Sequence, residues 1–256
     1  RALAPRVSMA FRREQPTQPR VVEAGTGTGA MLPRLVADGL TAGEYVAIDS
    51  DPSVVEFARY ARPRELRYRG HQVNATDDGF TVEDLSVTFR TGDALTAFGT
   101  GVDADVFVAA SFADLVPLSS LLDVIEATLR PGGLAYLPLS FDGGTIFQPD
   151  HPADDAVEAT YHAAIDDQPG RDHRAGRHLL EALQQRSGEI LAVGASDWIV
   201  HPKDDGYPAD EAYFLERILD FVAATVTTLP ATDHEISDWL ETRRAQLASA
   251  TLTYVA

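Results

Sequence analysis

The sequence predicts an α/β fold: a seven-stranded, mostly parallel sheet with helices on both faces and a helical insertion in the C-terminal half. Three observations carry this. Short apolar runs of strand character alternate with helically spaced segments through the first half, the rhythm of βαβ units. The run Val21-Val22-Glu23-Ala24-Gly25-Thr26-Gly27-Thr28-Gly29 reads as a buried strand, a tight glycine turn and a helix opening at Ala30. The second half is more helical, and 256 residues with 45% hydrophobic content suit one α/β domain with an appended region.

Strand one is expected at Arg20 to Ala24, followed by a helix from about Ala30 to Asp38. Strand two covers Tyr45 to Asp49. A helix from Pro52 to about Arg62 follows, with Asp51 as its N-cap and Pro52 at its first position. The polar stretch between Leu66 and Asp84 breaks the rhythm and reads as a loop or a small hairpin. Strands three to five are expected at Ser86 to Thr91, Asp105 to Ala110 and Leu134 to Leu139. A helix from Leu118 to Arg130 joins the last two and stops at Pro131-Gly132-Gly133. Beyond them, Asp154 to Asp166, Arg174 to Arg186, Asp210 to Leu229 and Ile236 to Ala248 carry helical spacing of apolar residues. Glu189 to Val200 reads as strand six and Thr251 to Val255 as strand seven, with the two long helices between them forming a cap or insertion.

Thirty-nine acidic residues against 21 basic ones give a net charge of -18, which disfavours nucleic-acid binding because phosphate contacts need a positive surface. Lys203 is the one lysine beside 20 arginines, and Asp outnumbers Glu 25 to 14. That balance fits a salt-adapted surface, or a GC-rich genome. No apolar run approaches the roughly 18 residues that a membrane-spanning helix needs. With no cysteine there is neither a disulfide nor a thiolate nucleophile, and a cytoplasmic setting is the expectation. The chain starts at Arg1 rather than Met, as a trimmed or incomplete sequence would.

Glycines at alternate positions let the backbone turn sharply and approach a ligand closely, the mark of an adenosine-type cofactor site. Gly25-x-Gly27-x-x-Ala30 also satisfies the loose dinucleotide fingerprint, so the glycines alone leave two owners. Glu23 extends the pattern to E-x-G-x-G-x-G. Asp49 ends strand two, Asp93 ends strand three in Thr91-Gly92-Asp93-Ala94, and Leu129-Arg130-Pro131-Gly132-Gly133-Leu134 precedes strand five. Each feature also has a plain structural reading: an Asp as a helix cap, Pro-Gly-Gly as an ordinary turn, Glu23 as an ion-pair partner.

As an ordered set over roughly Val21 to Phe141, these residues resemble the class I S-adenosylmethionine-dependent methyltransferases. The resemblance implies a Rossmann-like methyltransferase fold. It implies S-adenosyl-L-methionine as cofactor and S-adenosyl-L-homocysteine as product, with Asp49 on the ribose hydroxyls and Asp93 at the adenine amino group. The cofactor-binding set it implies is Glu23, Gly25, Thr26, Gly27, Gly29, Asp49, Ser50, Asp93, Ala94 and Ser111. Backbone N–H groups opening the first helix are expected to receive the methionine carboxylate, with Glu23 near the ammonium or water around it. One domain over 1–256 follows, with 1–141 as the cofactor-binding core and 142–256 on the substrate side, its helical insertion at about 203–248. A nicotinamide-dependent oxidoreductase would explain Gly25, Gly27 and Asp49 but leaves Glu23, Asp93 and the Pro-Gly-Gly turn without a role. A non-catalytic cofactor-binding protein of the same fold is a third reading.

Methyl transfer is an in-line displacement governed by positioning, so no strong catalytic signature is required. A general base would help a hydroxyl or amine acceptor. His151, at the end of a loop leaving strand five, and Asp114, in Ser111-Phe112-Ala113-Asp114 after strand four, are the candidates. The absence of an Asn/Asp-Pro-Pro-Tyr motif argues against nucleobase or protein-amide substrates. The expected partner is a small molecule, not nucleic acid or a membrane, with a homodimer left open. No spaced His/Asp cluster points to a metal.

Overall fold

A computed structural model describes residues 17–204, 206–226 and 233–256. The chain divides into two units, one running through Ser140 and including Ala175–Val193, the other comprising Phe141–Arg174 and Gly194–Ala256.

The first unit is built on β1 (Arg20–Ala24), a strand of nearly continuous burial. The chain continues through α1 (Leu32–Ala37), β2 (Ala42–Asp49), α2 (Pro52–Tyr68), β3 (Val73–Ala75), β4 (Phe80–Val82), β5 (Asp84–Thr91), the single turn α3 (Ala94–Ala97), β6 (Ala104–Val108), α4 (Leu118–Thr128) and β7 (Leu129–Tyr136). One seven-stranded sheet results, in the order β3-β4-β5-β2-β1-β6-β7. The pairs β5/β2, β2/β1, β1/β6 and β6/β7 are parallel, and β4 runs antiparallel to both neighbours. From β1 the chain winds outward to β2 and β5, then returns to lay β6 on the other side. That reversal is a switch point, and in open α/β sheets ligands bind beyond the carboxyl ends of the strands at such a point.

Alternation along the strands assigns the faces. Val21, Tyr45 and Val87 pack with Leu32, Val36, Val55 and Leu66, while Val22, Val46 and Phe107 pack with Leu121, Ile125 and Leu179. The helix α6 (Ala175–Gln184) thus belongs to the second face beside α4. Arg186 fastens this layer by donating to Asp123 at 2.7 Å and Glu126 at 3.1 Å.

Several expected boundaries move. The helix α2 begins as expected, with the Asp51 carboxylate accepting from Ser53 N at 2.8 Å, but it passes Arg62 and runs to Tyr68. Pro63 removes one backbone donor, and the ion pairs of Glu65 with Arg62 and Arg69, together with burial of Leu66, carry the helix past it. The stretch from Leu66 to Asp84 holds a hairpin, closed where Thr76 N donates to Gly79 O at 3.1 Å. The last parallel strand starts at Leu129, and Pro131-Gly132-Gly133 lies inside it as an irregularity of register against Ala104 and Val106.

The second unit contains β8 (Ile146–Gln148), α5 (Asp154–Asp166), β9 (Ile199–Val200), α7 (Glu211–Val226), α8 (Asp233–Ala248) and β10 (Thr253–Val255). The expected helix end at Leu229 lies outside the described residues. Strand six is corrected: only Ile199 and Val200 of the stretch from Glu189 to Val200 are in a strand, and Leu191 and Val193 are exposed. Strand seven forms as β10, but it pairs with β8 and β9 in a separate antiparallel sheet of order β8-β10-β9. The main sheet reaches seven strands through the β3/β4 hairpin instead. Apolar content marked the strand former but not its pairing partner.

Trp239, Leu215, Leu219, Tyr254 and Phe147 fill the core of this unit, with the Phe147 and Trp239 rings edge to face at 5.2 Å. Through it passes a buried guanidinium. Arg243, with no exposed surface, donates to Asp154 Oδ1, to Pro149 O at 2.6 Å and to Gln246 Oε1 at 2.8 Å, while Trp239 Nε1 donates to the same Asp154 oxygen at 2.7 Å. No described helix is long and apolar enough to cross a membrane.

Candidate functional site

The glycine turn leaves β1 at the switch point. Gly25, Gly27 and Gly29 all have positive φ, at 65°, 51° and 74°. They differ in what stands around them. A Cβ on Gly25 would lie 2.2 Å from the Phe112 ring and one on Gly29 would lie 2.8 Å from the Phe89 ring, whereas one on Gly27 would meet nothing within 4 Å. Gly25 and Gly29 are therefore packed glycines, and Gly27 is the open position.

The turn is tied to the end of β2. Thr26 N donates to Ile48 O at 3.0 Å, Gly27 N to Asp49 Oδ2 at 2.7 Å and Gly29 N to Thr26 O at 2.8 Å. Three amides of the turn are thus committed within the protein, and α1 starts at Leu32, two residues later than expected, and has six residues. Asp49 also accepts from Asp51 N at 3.0 Å through its other oxygen. Each carboxylate oxygen then retains acceptor capacity, enough for a pair of ligand hydroxyls. Gly92 N donates to Asp49 O at 2.9 Å, which brings the end of β5 alongside.

Asp93 follows Gly92 and is exposed, its Oδ1 accepting from Leu95 N at 2.9 Å as the cap of α3. Ala94 is buried behind it and Ser50 is exposed beyond Asp49. Past β6, Ser111 has φ 52° and donates its N–H to Pro138 O at 3.0 Å, and Asp114 sits half-buried in the turn that follows. The turn and the strand ends are thus joined by hydrogen bonds among Thr26, Gly27, Gly29, Asp49 and Gly92.

His151 belongs to the second unit, where its role is local. Its backbone N donates to Asp154 Oδ2 at 2.7 Å and its Nδ1 accepts from Ala153 N at 3.2 Å, closing the turn ahead of α5. In the same unit Asp166, Asp172 and His173 come within metal-ligand spacing of one another. His173 Nδ1 lies 2.7 Å from Asp166 Oδ2, within hydrogen-bond distance, and Arg174 Nε donates to Nε2 at 3.0 Å.

Glu23 departs most from its expected surroundings. It is 2% exposed, and its Oε2 accepts from Thr26 Oγ1 at 2.8 Å and from the Tyr45 hydroxyl. Burial pushes its pKa up to about 7, against the opposing pull of the Tyr45 and Thr26 hydrogen bonds, with the Asp49 charge adding to the rise. A raised carboxyl pKa means that the folded chain holds the proton more tightly than the unfolded one. The stability this confers is full below the ordinary value of 4.5 and is lost as pH rises toward 7, a swing of about 3 kcal/mol. Glu23→Gln abolishes the titration. Urea denaturation should therefore show the variant gaining on the parent by about that amount between about pH 5 and about pH 8, and a difference that stays constant with pH would contradict the assignment.

Sequence reasoning missed Tyr45 and gave Phe112 no role. Tyr45 carries a polar group at a fully buried strand position, and such hydroxyls find partners. Glu23 is the one acid of the neighbouring β1, so the pairing had a signal.

A Bacillus halodurans C-125 protein of known structure, a candidate methyltransferase, is similar at 16% identity, over 99% of this chain and 96% of its own, with a TM-score of 0.51. The chain has the Rossmann-like methyltransferase fold. S-adenosylmethionine-dependent methyltransferases from Thiobacillus denitrificans and Geobacter sulfurreducens, both in complex with S-adenosyl-L-homocysteine, are each 18% identical. They cover 99% and 97% of this chain, and are themselves covered over 88% and 87%, at TM-scores of 0.47 and 0.44. No family model and no curated protein matches the chain. On this methyltransferase fold the glycine turn and Asp49 stand at the switch point, where the fold class places its ligands.

Proposed function

We propose that the protein is an S-adenosyl-L-methionine-dependent methyltransferase acting on a small molecule. The reading is carried by one observation: the open face of Gly27 stands beside an Asp49 carboxylate that keeps acceptor capacity on both oxygens. A ribose diol suits that carboxylate. Asp93, exposed at the next strand end, suits an exocyclic amine. The similarity to the Bacillus halodurans candidate methyltransferase over nearly the full length of both chains agrees with it.

The residues present fit the group. When bound, S-adenosylmethionine supplies an electrophilic methyl on a sulfonium. The chain supplies position: the turn is fixed by its own hydrogen bonds, and an in-line displacement gains most of its rate from fixed reactants. Ser111 and Asp114, on the loop that leaves β6 at the switch point, are proposed to face the acceptor side, with Asp114 the base where the acceptor carries a proton.

The direct test is transfer of a tritiated methyl group from S-adenosylmethionine across pooled metabolite fractions. Label in a small-molecule product supports the reading. Tight S-adenosylhomocysteine binding with no labelled product from any fraction would favour a non-catalytic binder.

A further inference from the structure

Tyr45 is buried without exposed surface in β2, opposite Val21, and its ring does not reach the open face of the turn. It nevertheless contacts the turn's supports by two routes. Its hydroxyl donates to Glu23 Oε2, the atom that also accepts from Thr26 Oγ1 at 2.8 Å. Its ring meets Phe89 edge to face at 6.4 Å, and Phe89 is the side chain that leaves no room for a Cβ on Gly29. Thus one side chain braces both ends of the segment from Thr26 to Gly29, with Gly27 between them.

We propose that Tyr45 is a positioning residue for the ligand-binding turn, and that through Glu23 it makes the grip of the turn on its ligand depend on whether the Glu23 carboxyl carries a proton. The inference rests on the reading of the turn as the cofactor site. Both donors converge on one oxygen, and a hydrogen bond to an ionised carboxylate is shorter and about twice as strong as one to a neutral carboxyl. Ionisation of Glu23 draws Thr26 and Tyr45 in together and firms the turn. Protonation loosens both bonds at once. The groups facing the Glu23 carboxyl are Tyr45 on β2, Thr26 in the turn and the Asp49 carboxylate at the end of β2. On the β6 side its register partner is Val108, which is uncharged. Asp105 of β6 is engaged elsewhere, accepting from Arg20 N at 2.6 Å and pairing with Arg130. Ligand binding that favours the firm turn then releases a proton near neutral pH.

The test is calorimetry of S-adenosylhomocysteine binding to the full chain in buffers of different ionisation enthalpy, across about pH 6 to pH 8.5. The parent is expected to bind more tightly as pH rises and to release a fraction of a proton near pH 7. Glu23→Gln should release none. Tyr45→Phe should bind about tenfold more weakly, with its pH midpoint moved upward because the carboxylate has lost a donor. Thr26→Val, which leaves the core packing of Tyr45 intact, should move the midpoint in the same direction. Identical affinity and pH profile in the parent and Tyr45→Phe, or proton release retained in Glu23→Gln, would overturn the proposal. A parent that binds no S-adenosylhomocysteine at any pH would overturn the cofactor reading instead. Positioning is then decided on the ligand-free protein by the Gly25, Gly27 and Gly29 amide resonances. A shared midpoint near pH 7 in the parent and its loss in Glu23→Gln support it, and flat resonances in the parent overturn it.

Discussion

Arg243→Ala is expected to cost the second unit about 3–5 kcal/mol, because it removes a fully buried side chain and leaves the half-buried Asp154 carboxylate without its ionic partner. The guanidinium lies beside both the Phe147 and Trp239 rings, 5.7 Å and 5.4 Å from their centroids, and Asp154 is its ionic partner across 89 residues of chain. Burial alone would raise the Asp154 carboxyl. The hydrogen bonds from Arg243, Trp239 and His151 outweigh that and hold it below its ordinary value of 3.8. The sign follows: the stability this pair confers is present above pH 3.8 and is lost as pH falls below it. Urea denaturation of Arg243→Ala should show the loss, whereas Arg243→Met combined with Asp154→Leu, removing both charges, should recover most of it. A double variant no better than Arg243→Ala would mean that packing of the guanidinium stem, and not its charge, is what the unit needs.

Gly25→Ala is expected to cost about 2–5 kcal/mol, the sum of a left-handed backbone at φ 65° and a methyl group driven into the Phe112 ring. Gly27→Ala, only two residues away, should cost about 1–2 kcal/mol, since its φ of 51° is strained but its surroundings are open. Binding should show a different contrast. The new methyl of Gly27→Ala projects into the space assigned to the cofactor, so S-adenosylhomocysteine affinity should fall by about tenfold or more in a protein that remains folded. Adding Phe112→Ala to Gly25→Ala should return the packing part of the loss but not the backbone part. Equal stability losses at the two glycines, or unchanged ligand affinity in Gly27→Ala, would contradict the division into packed and open positions.

What the sequence made legible was local. The strand from Arg20 to Ala24 and the Asp51 cap stand where they were expected, because burial periodicity and a capping side chain act within a few residues. Helix length past Pro63 was not legible, since it depends on ion pairs and burial that offset a missing donor. Nor was the pairing of Thr251 to Val255, because a strand carries its own propensity and not the identity of its neighbour. At the candidate site, the glycine turn, Asp49 and Asp93 were visible as a spaced motif. Two features were hidden for a common reason. The Tyr45 to Glu23 contact and the Arg243 to Asp154 pair join residues 22 and 89 positions apart, and nothing in either local pattern announces the other. Glu23, expected near a ligand ammonium, acts beneath the turn because β1 buries it.

The Gly25 to Gly29 turn with Asp49 is the proposed seat of S-adenosylmethionine. The most direct measurement is the stability of the parent and of Asp49→Ala with S-adenosylhomocysteine at about 100 times the parent's dissociation constant for it, where a bound ligand adds about 2.7 kcal/mol, and with NAD at that same concentration. That increment is expected for the parent with S-adenosylhomocysteine, most of it lost in Asp49→Ala, and none with NAD. Stabilisation by NAD but not by S-adenosylhomocysteine, or an increment that survives in Asp49→Ala, would contradict it.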